Sequence, residues 1–291
     1  MSETYDEYCA MAEAELEKAL AGGEDLPQHS LIEAMRYSLL AGGKRIRPVL
    51  VLAFCKAAGT DPEKALPVAC AVEMLHTYSL IHDDLPCMDN DDMRRGKPTN
   101  HVVFGVFTAT LAGDALQAEA FGKILRSNLP AKVRADCAEA LADAAGIDGI
   151  CGGQQLDMEG NGKALEEQQL IELQSRKTGS LLAAACLMGA IVGGATGKQR
   201  EAALIYGSAL GAAFQMRDDM LDELSTTEEL GKPIGSDKRE GKITFMSLYG
   251  GEKCEERIEK LTEYAKKTAS ETFTDPQFLM DLAEQMGKRR S

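Results

Sequence analysis

The strongest constraint on this chain is that most of its length favours helix, in long runs that glycine pairs and prolines interrupt. Ala, Leu, Glu, Met and Lys are abundant, whereas alternating runs of Val, Ile and Thr, which favour strands, are hard to find. Gly22-Gly23 and Gly42-Gly43 each follow an amphipathic run and predict a helix end. We therefore expect an all-α fold, a large helical bundle. The predicted helices cover residues 3–21, 30–41, 46–58, 64–84, 102–124, 131–145, 165–192, 198–226 and 251–271.

Length and composition limit what such a bundle can be. The 291 residues, 44% of them hydrophobic, suffice for a buried core, and no linker or fixed-period repeat appears, so we expect one domain over 1–291. No apolar run is long enough for a transmembrane helix, and the acidic start lacks the features of a secretory signal. A net charge of −14 disfavours nonspecific nucleic-acid binding. The eight cysteines form no Cys-x-x-Cys pair, which is typical of reduced thiols in a cytoplasmic protein.

The first of two aspartate clusters follows a predicted apolar helix and opens a long polar connection, residues 85–100. It consists of Asp83, Asp84 and Asp89, and Pro86 should end or kink the helix between them. An unbroken helix would hold Asp83 and Asp89 about 120° apart around its axis, so the break is needed for the two carboxylates to converge. Carboxylates suit a hard cation such as Mg²⁺. The alternative is a solvated acidic loop.

The second cluster, Asp218, Asp219 and Asp222, lies in a predicted helix just before the other long polar connection, residues 226–241. Asp218 and Asp222 are four residues apart, so they share one helical face and repel each other unless a cation compensates. The alternative is an exposed acidic turn. Two such clusters on different helices predict Mg²⁺ held between them.

Cations lie beside both clusters although the chain as a whole is acidic. Because Mg²⁺ prefers substrate phosphates as co-ligands, and Arg and Lys bind phosphate oxygens, the pattern predicts a phosphate-bearing substrate. Each cation alone is more often an ordinary surface residue, and only the joint pattern favours a site. The cations are Lys44, Arg45, Arg47, Arg94, Arg95, Lys97, Lys177, Lys232, Lys238 and Lys242.

Six motifs, in order, make the chain resemble the trans-type polyprenyl diphosphate synthases: GGKRIRP, HTYSLIHDDLPCMDNDDMRRGKPTNH, GGQQLDM, RKTGSLL, FQMRDDMLD and GKPIGSDKREGKIT. The DDxxxxD spacing of the first cluster is similar to that of bacterial farnesyl and plant-like geranylgeranyl diphosphate synthases. The resemblance implies an isoprenoid-synthase bundle around a central cavity and a homodimer. It also implies the condensation of isopentenyl diphosphate with dimethylallyl or geranyl diphosphate, with about three Mg²⁺ ions bound together with the substrate diphosphate.

The resemblance also implies roles for individual residues. The metal ligands would be Asp83, Asp84, Asp89, Asp218, Asp219 and Asp222. The allylic diphosphate would be held by Arg94, Lys177, Lys232 and Lys242, and isopentenyl diphosphate by Lys44, Arg47, His76 and Arg95. Thr178 and Gln215 would line the reacting centre, and the catalytic set would be Asp83, Asp84, Asp89, Lys177, Thr178, Gln215, Asp218 and Asp219. Gln154 and Asp157 also match, with a less definite role.

Two features, His76 and the basic tail, each have a simpler structural alternative. A lone histidine on an apolar helix, as His76 is, is more often a core residue, but His76 lies about two turns before Asp83 and so nearly on its face. The basic tail at Lys288-Arg289-Arg290 could fold over the second diphosphate, but a frayed terminus is the expectation.

The resemblance implies that product length depends on the helix that precedes the first cluster. The fifth residue before Asp83 is Tyr78 and the fourth is Ser79. In the family a bulky residue there forms a floor under the growing chain, so we expect a farnesyl product, with geranylgeranyl diphosphate as the alternative. A class I terpene cyclase would lack the GGKRIRP motif, and a non-catalytic regulatory subunit would have lost aspartates, so both are disfavoured.

Overall fold

Helices make up nearly all regular structure in the part of the chain that this computed structural model describes, residues 2–160, 162–224 and 243–289. The exceptions there are a short 3₁₀ turn (Pro62–Ala65), a π-helical turn (Ser175–Gly179) and an antiparallel pair, β1 (Met93–Arg94) and β2 (Lys97–Pro98). The helices are α1 (Glu3–Ala19), α2 (His29–Leu39), α3 (Ile46–Ala57), α4 (Leu66–Asp83), α5 (Asn100–Phe104), α6 (Val106–Leu125), α7 (Ala131–Ala145), α8 (Ile150–Gly160), α9 (Glu167–Gln174), α10 (Ser180–Val192), α11 (Gly197–Leu224), α12 (Phe245–Tyr249), α13 (Gly251–Thr272) and α14 (Gln277–Lys288).

The centre of the bundle is formed by α3, α4 and α10, which are apolar on nearly every face because other helices surround them. Eleven of the residues of α10 are buried, and α4 is buried along most of its length. The helix α10 packs against α3 on one side and α11 on the other, while α6 packs against α4. The first aspartate cluster therefore lies at the end of a helix that the core holds rigidly.

Small residues let these central helices approach closely. A Cβ atom added at Gly189 of α10 would lie 2.2 Å from the carbonyl oxygen of Val51, in α3. One added at Gly207 of α11 would lie 2.5 Å from Cα of Ala183, in α10. The backbones at these crossings leave no room for a side chain, which fixes α11 and its aspartates relative to α10.

The expectation of an all-α fold is confirmed, and the prediction for 131–145 agrees with α7 at both ends. Three differences have local causes. The predicted helix 102–124 is interrupted at Gly105, whose φ of +83° starts a new helix. The predicted helix 165–192 begins as α9 and passes through the π turn before α10. The helices α8, α12 and α14 were not predicted. No helix in the described ranges has the length and apolar character needed to cross a bilayer.

Candidate active site

The first aspartate cluster lies at the carboxyl end of α4, where the chain turns back on itself. The helix ends at Asp83, ahead of Pro86, as the sequence predicts. The backbone N–H of Met88 donates to the carbonyl of Leu85 at 2.8 Å, and that of Asp89 donates to the carbonyl of Asp83 at 2.9 Å. The turn thus places Asp89 beside the end of α4, close to Asp83.

Asp83 is held in a setting that disfavours its ionised form. Burial raises the pKa of Asp83 to about 6, and the negative charges of Asp89 and Asp84 act in the same direction, against the positive charges of Lys177 and Arg94. A cation bound beside Asp83 would stabilise its ionised form, because the cation offsets both the desolvation of the carboxylate and the repulsion from Asp84 and Asp89. The donor atoms are carboxylate oxygens, which fits Mg²⁺.

Asp84 has a different environment, although it is adjacent to Asp83. Its carboxylate is 3% exposed and accepts three hydrogen bonds from Arg94, from Nε at 2.8 and 2.9 Å and from Nη2 at 2.6 Å. This bidentate pair joins the end of α4 to strand β1. The structure thus places Asp84 and Arg94, which the resemblance assigns to metal and to diphosphate, in contact with each other.

In the second cluster, Asp219 and Asp222 are buried, at 4% and 5% exposure. Asp219 accepts a hydrogen bond from the side-chain amide of Gln215 at 2.9 Å and from the backbone N–H of Phe245 at 2.7 Å. The hydroxyl of Thr178 donates to the amide oxygen of Gln215 at 3.2 Å. Thr178, Gln215 and Asp219 therefore form one chain of hydrogen bonds from the π turn to the aspartates of α11.

Asp218 is paired with Arg289, so this residue of the basic tail is held in place rather than frayed as expected, while Arg290 lies outside the described residues. The guanidinium of Arg289 donates to Asp218 and lies 3.8 Å from the ring centre of Phe214. Partial burial and then the positive charge of Arg289 lower the pKa of Lys44. Arg289 therefore lies near Lys44 as well as near Asp218. The sequence pointed to Arg289 only as part of the tail and did not predict its pairing with Asp218, because the two residues are 71 positions apart along the chain.

Lys177 connects the two halves of the site. It lies in the π turn and donates to Asp157 of α8 at 2.6 Å, while its charge also acts on Asp83. Its backbone packs so tightly on α8 that a Cβ added at Gly153 would lie 2.2 Å from the Lys177 nitrogen. π turns occur frequently at functional sites. Here the turn directs Lys177 and Thr178 into a polar cavity of about 140 Å³, lined also by Asp157, Gln215 and Asp219.

A group of cations lies at the amino end of α3. Gly42 and Gly43 have φ values of +82° and +133°, and this backbone brings the Gly42 carbonyl within reach of the Arg95 guanidinium. Burial and then the charge of Arg95 lower the pKa of Arg47 to about 10, and Arg47 Nε is buried without a partner among the described residues. Burial and then the charges of Arg47 and Arg95 lower the pKa of His76 well below its usual value. The two guanidiniums repel each other and keep the buried His76 neutral, and an anion bound among the three groups would relieve that repulsion.

Arg45, which the sequence places among the phosphate-binding cations, is a structural residue instead. It is 3% exposed and adopts a left-handed backbone with φ of +50°. Its guanidinium donates to Glu73 at 2.6 Å, to Glu13 at 2.6 Å and to the carbonyl of Leu39 at 2.9 Å. These bonds join α1, α2, α3 and α4, so Arg45 anchors the turn that presents its neighbours Lys44 and Arg47.

The remaining predicted site residues divide into three cases. Tyr78 is 4% exposed and its hydroxyl lies 3.6 Å from Cys151 Sγ of α8, while Ser79 donates to the carbonyl of His76 at 2.9 Å. Both amide atoms of Gln154 are buried without partners among the described residues. Lys232, Lys238 and Lys242 lie outside the described residues.

In the part of the chain that the structure describes, no group of three or more His, Cys, Asp or Glu side chains is placed closely enough to hold a metal ion by itself.

Two aspartate clusters, a cationic turn and a central all-α bundle are the features of an isoprenoid-synthase fold, and comparison with known proteins agrees. Residues 28–278 match the polyprenyl synthetase family, and the chain belongs to that family.

Several relatives and solved structures are similar over nearly the whole chain. The chain is 46% identical to farnesyl diphosphate synthase of Geobacillus stearothermophilus over 262 residues, which cover 89% of this chain and 88% of that enzyme. It is 48% identical to geranylgeranyl diphosphate synthase of Cyanophora paradoxa over 242 residues, or 81% and 80% of the two chains. A crystal structure described as an FPP/GFPP synthase from Zymomonas mobilis superimposes with a TM-score of 0.85 at 38% identity, covering 96% of this chain and 95% of that one.

Proposed function

We propose that this protein is a short-chain prenyltransferase that makes farnesyl diphosphate. It condenses isopentenyl diphosphate with dimethylallyl diphosphate and then with geranyl diphosphate. The observation that carries the proposal is the combination of an acidic site and a separate cationic site in one bundle. The acidic site consists of the two aspartate clusters, and the cationic site consists of Arg47 and Arg95 beside the buried His76. A reaction between two diphosphates needs two such places.

In this proposal Asp83, Asp89 and Asp218 bind about three Mg²⁺ ions together with the allylic diphosphate. Asp219 and Asp222 support them directly or through water, and Asp84 does so through its pairing with Arg94. When bound, Mg²⁺ supplies Lewis-acid stabilisation of the leaving diphosphate.

The chain's own groups bind and orient the two substrates. Lys177 and Arg94 hold the allylic diphosphate, with Lys232 and Lys242 added from the segment outside the described residues. Lys44, Arg47, His76 and Arg95 hold isopentenyl diphosphate. Thr178 and Gln215 direct hydroxyl and amide dipoles at the reacting carbon, where preorganised dipoles steady a developing cation. Closure of the site has to exclude water, because water would convert that cation to an alcohol.

Tyr78 supports the choice of a farnesyl product. It is a buried aromatic residue on the helix that leads to Asp83, with the hydroxyl against α8, which is where a floor under a fifteen-carbon chain is expected. The relatives keep geranylgeranyl diphosphate as the alternative product, since the Cyanophora paradoxa enzyme is as similar to this chain as the Geobacillus stearothermophilus enzyme is.

The test is a product assay. The purified protein is incubated with isopentenyl diphosphate, Mg²⁺ and in turn dimethylallyl, geranyl or farnesyl diphosphate, and chain length is read after dephosphorylation. Farnesol from the first two primers, with no extension of the third, is the expected result. A twenty-carbon product would favour the alternative. Absence of any condensation would favour a terpene cyclase or a regulatory subunit, although both aspartate clusters and the second diphosphate site speak against these.

We also propose that residues 1–291 work as one domain and that two copies form a dimer. A row of apolar side chains on α5 and α6 supports the dimer, because each is exposed in the single chain and Phe107 is 75% exposed. Sedimentation analysis tests this, with Phe107→Glu expected to give a monomer. The row comprises Val102, Val103, Val106, Phe107 and Leu111.

A further inference from the structure

The ring of Tyr78, the proposed floor under the growing chain, packs against a second ring. His82 lies one turn further along α4, and its ring meets the ring of Tyr78 edge to face, with centres 5.7 Å apart and planes at 82°. On its other side His82 Nε2 donates to the backbone carbonyl of Thr110, in α6, at 3.0 Å. The histidine ring therefore connects the ring of Tyr78 to the backbone of α6.

Gly113 makes this arrangement possible. A Cβ atom added there would lie 2.1 Å from His82 Nε2 and 2.4 Å from its Cδ2, well inside van der Waals contact. Gly113 lies in the interior of α6 without a positive φ, so the helix backbone gives no reason for a glycine, and alanine would favour the helix more. The closeness of the His82 ring supplies the reason.

The opposite end of Tyr78 is also fixed, because its hydroxyl lies 3.6 Å from Cys151 Sγ. We propose that His82 and Gly113 are positioning residues for product length: they set where the Tyr78 ring stands, and the ring sets where chain growth stops. This inference rests on the proposed function and adds to it, since neither His82 nor Gly113 has a role in the metal or diphosphate sites.

The ratio of twenty-carbon to fifteen-carbon product distinguishes a residue that positions Tyr78 from one that affects catalysis in general. His82 adjoins Asp83, so its replacement can also slow the reaction. A defect that acts through Asp83 lowers the rates of all condensation steps and leaves the product ratio nearly unchanged. A displaced Tyr78 ring changes the ratio, because it changes which chain length still fits.

The first test is His82→Ala, assayed with dimethylallyl and isopentenyl diphosphate. The ratio of twenty-carbon to fifteen-carbon product is expected to rise roughly two- to ten-fold, as the loss of one edge-to-face ring contact would give. In a Tyr78→Ala background the same change is expected to add nothing further, because both act through one ring. An unchanged ratio in His82→Ala, or equal effects with and without Tyr78, would overturn the proposal.

The second test does not depend on His82→Ala being stable. Gly113→Ala pushes the His82 ring away from α6 and towards Tyr78, so a larger share of ten-carbon product is expected. Gly122→Ala is the matched control on the same helix, since the three atoms nearest its added Cβ belong to the guanidinium of Arg126, the nearest at 2.6 Å, and this long side chain is 65% exposed and has room to move aside. Product ratios that agree between Gly113→Ala and Gly122→Ala would refute the positioning role. A wild-type protein that makes no prenyl product would instead refute the proposed function.

Discussion

Asp83→Asn is expected to stabilise the metal-free protein while it abolishes activity. The pKa of Asp83 rises from 3.8 to about 6 on folding, so the folded protein holds this proton more tightly than the unfolded chain. The ionised carboxylate therefore lowers stability, and the cost is absent below about pH 4 and complete above about pH 6. The difference between the two pKa values corresponds to about 3 kcal/mol at neutral pH. Asparagine keeps the shape of the side chain and removes the charge.

The assay is thermal unfolding of both proteins with a chelator present, at pH 7.5 and at pH 5.5. For 291 residues the unfolding entropy is about 0.6 kcal/mol per kelvin, so the variant should gain about 5 °C in Tm at pH 7.5. At pH 5.5 the wild-type carboxyl is largely protonated when folded, and the gain should fall to about 3.5 °C. Turnover with Mg²⁺ should fall by at least about 100-fold, since an electrostatic contact to the transition state is lost.

Asp84→Asn is the matched control, because the same substitution one residue later should have the opposite effect on stability. Burial raises the pKa of Asp84 too, against the lowering effect of Arg94. Asp84→Asn, however, also removes the carboxylate that accepts three bonds from Arg94 and leaves this guanidinium with the longer 3.8 Å pairing to Asp91, a loss of about 3 kcal/mol. If Asp83→Asn lowers Tm at pH 7.5, or if its gain is the same at both pH values, the account of strain at Asp83 is wrong.

Three further perturbations test other parts of the structure. Tyr78→Ala should lengthen the product to twenty carbons, and a product that stays at fifteen carbons would exclude Tyr78 as the floor. Glu73→Gln should lower the free energy of unfolding by about 3 kcal/mol, and Tm by about 5 °C, because it leaves the buried Arg45 with one carboxylate partner; denaturant titration measures this, and a change under about 0.5 kcal/mol would contradict it. Gly153→Ala should reduce turnover about tenfold or more, because the added methyl displaces the backbone of Lys177; unchanged kinetics would show that the position of Lys177 is not critical.

The positions of the long amphipathic helices could be predicted because hydrophobic periodicity carries that signal. The break at Gly105 and the π turn could not be predicted in this way. Hydrophobic periodicity is read over several turns of helix, and an irregularity of one residue barely alters it. The helix α8 was missed because its sequence, ICGGQQLDMEG, contains a glycine pair that elsewhere ends helices. Tertiary packing against α9 and the π turn stabilises it despite that low propensity.

The residue types of the candidate site were predictable from motifs, but the different contacts that neighbouring residues make were not. Asp83 and Asp84 look equivalent in the sequence, yet Arg94 donates its three hydrogen bonds to Asp84 and acts on Asp83 only through its charge. Arg45 and Arg47 differ in the same way, because Arg45 turns inward to Glu73. Such differences depend on partners ten to thirty positions away, which no local pattern contains.

The π turn at Ser175–Gly179 has a consequence for how this segment can vary. Its wider winding accommodates one residue more than an α-helix over the same rise. Loss of a single residue here would restore regular α-helical winding, so α9 and α10 would keep nearly the same relative phase while the side chains within the turn change direction. Lys177 and Thr178 would then turn away from Asp157 and Gln215. The length of this stretch should therefore be fixed, in contrast to the ordinary surface loops of the bundle, which accept deletions and insertions.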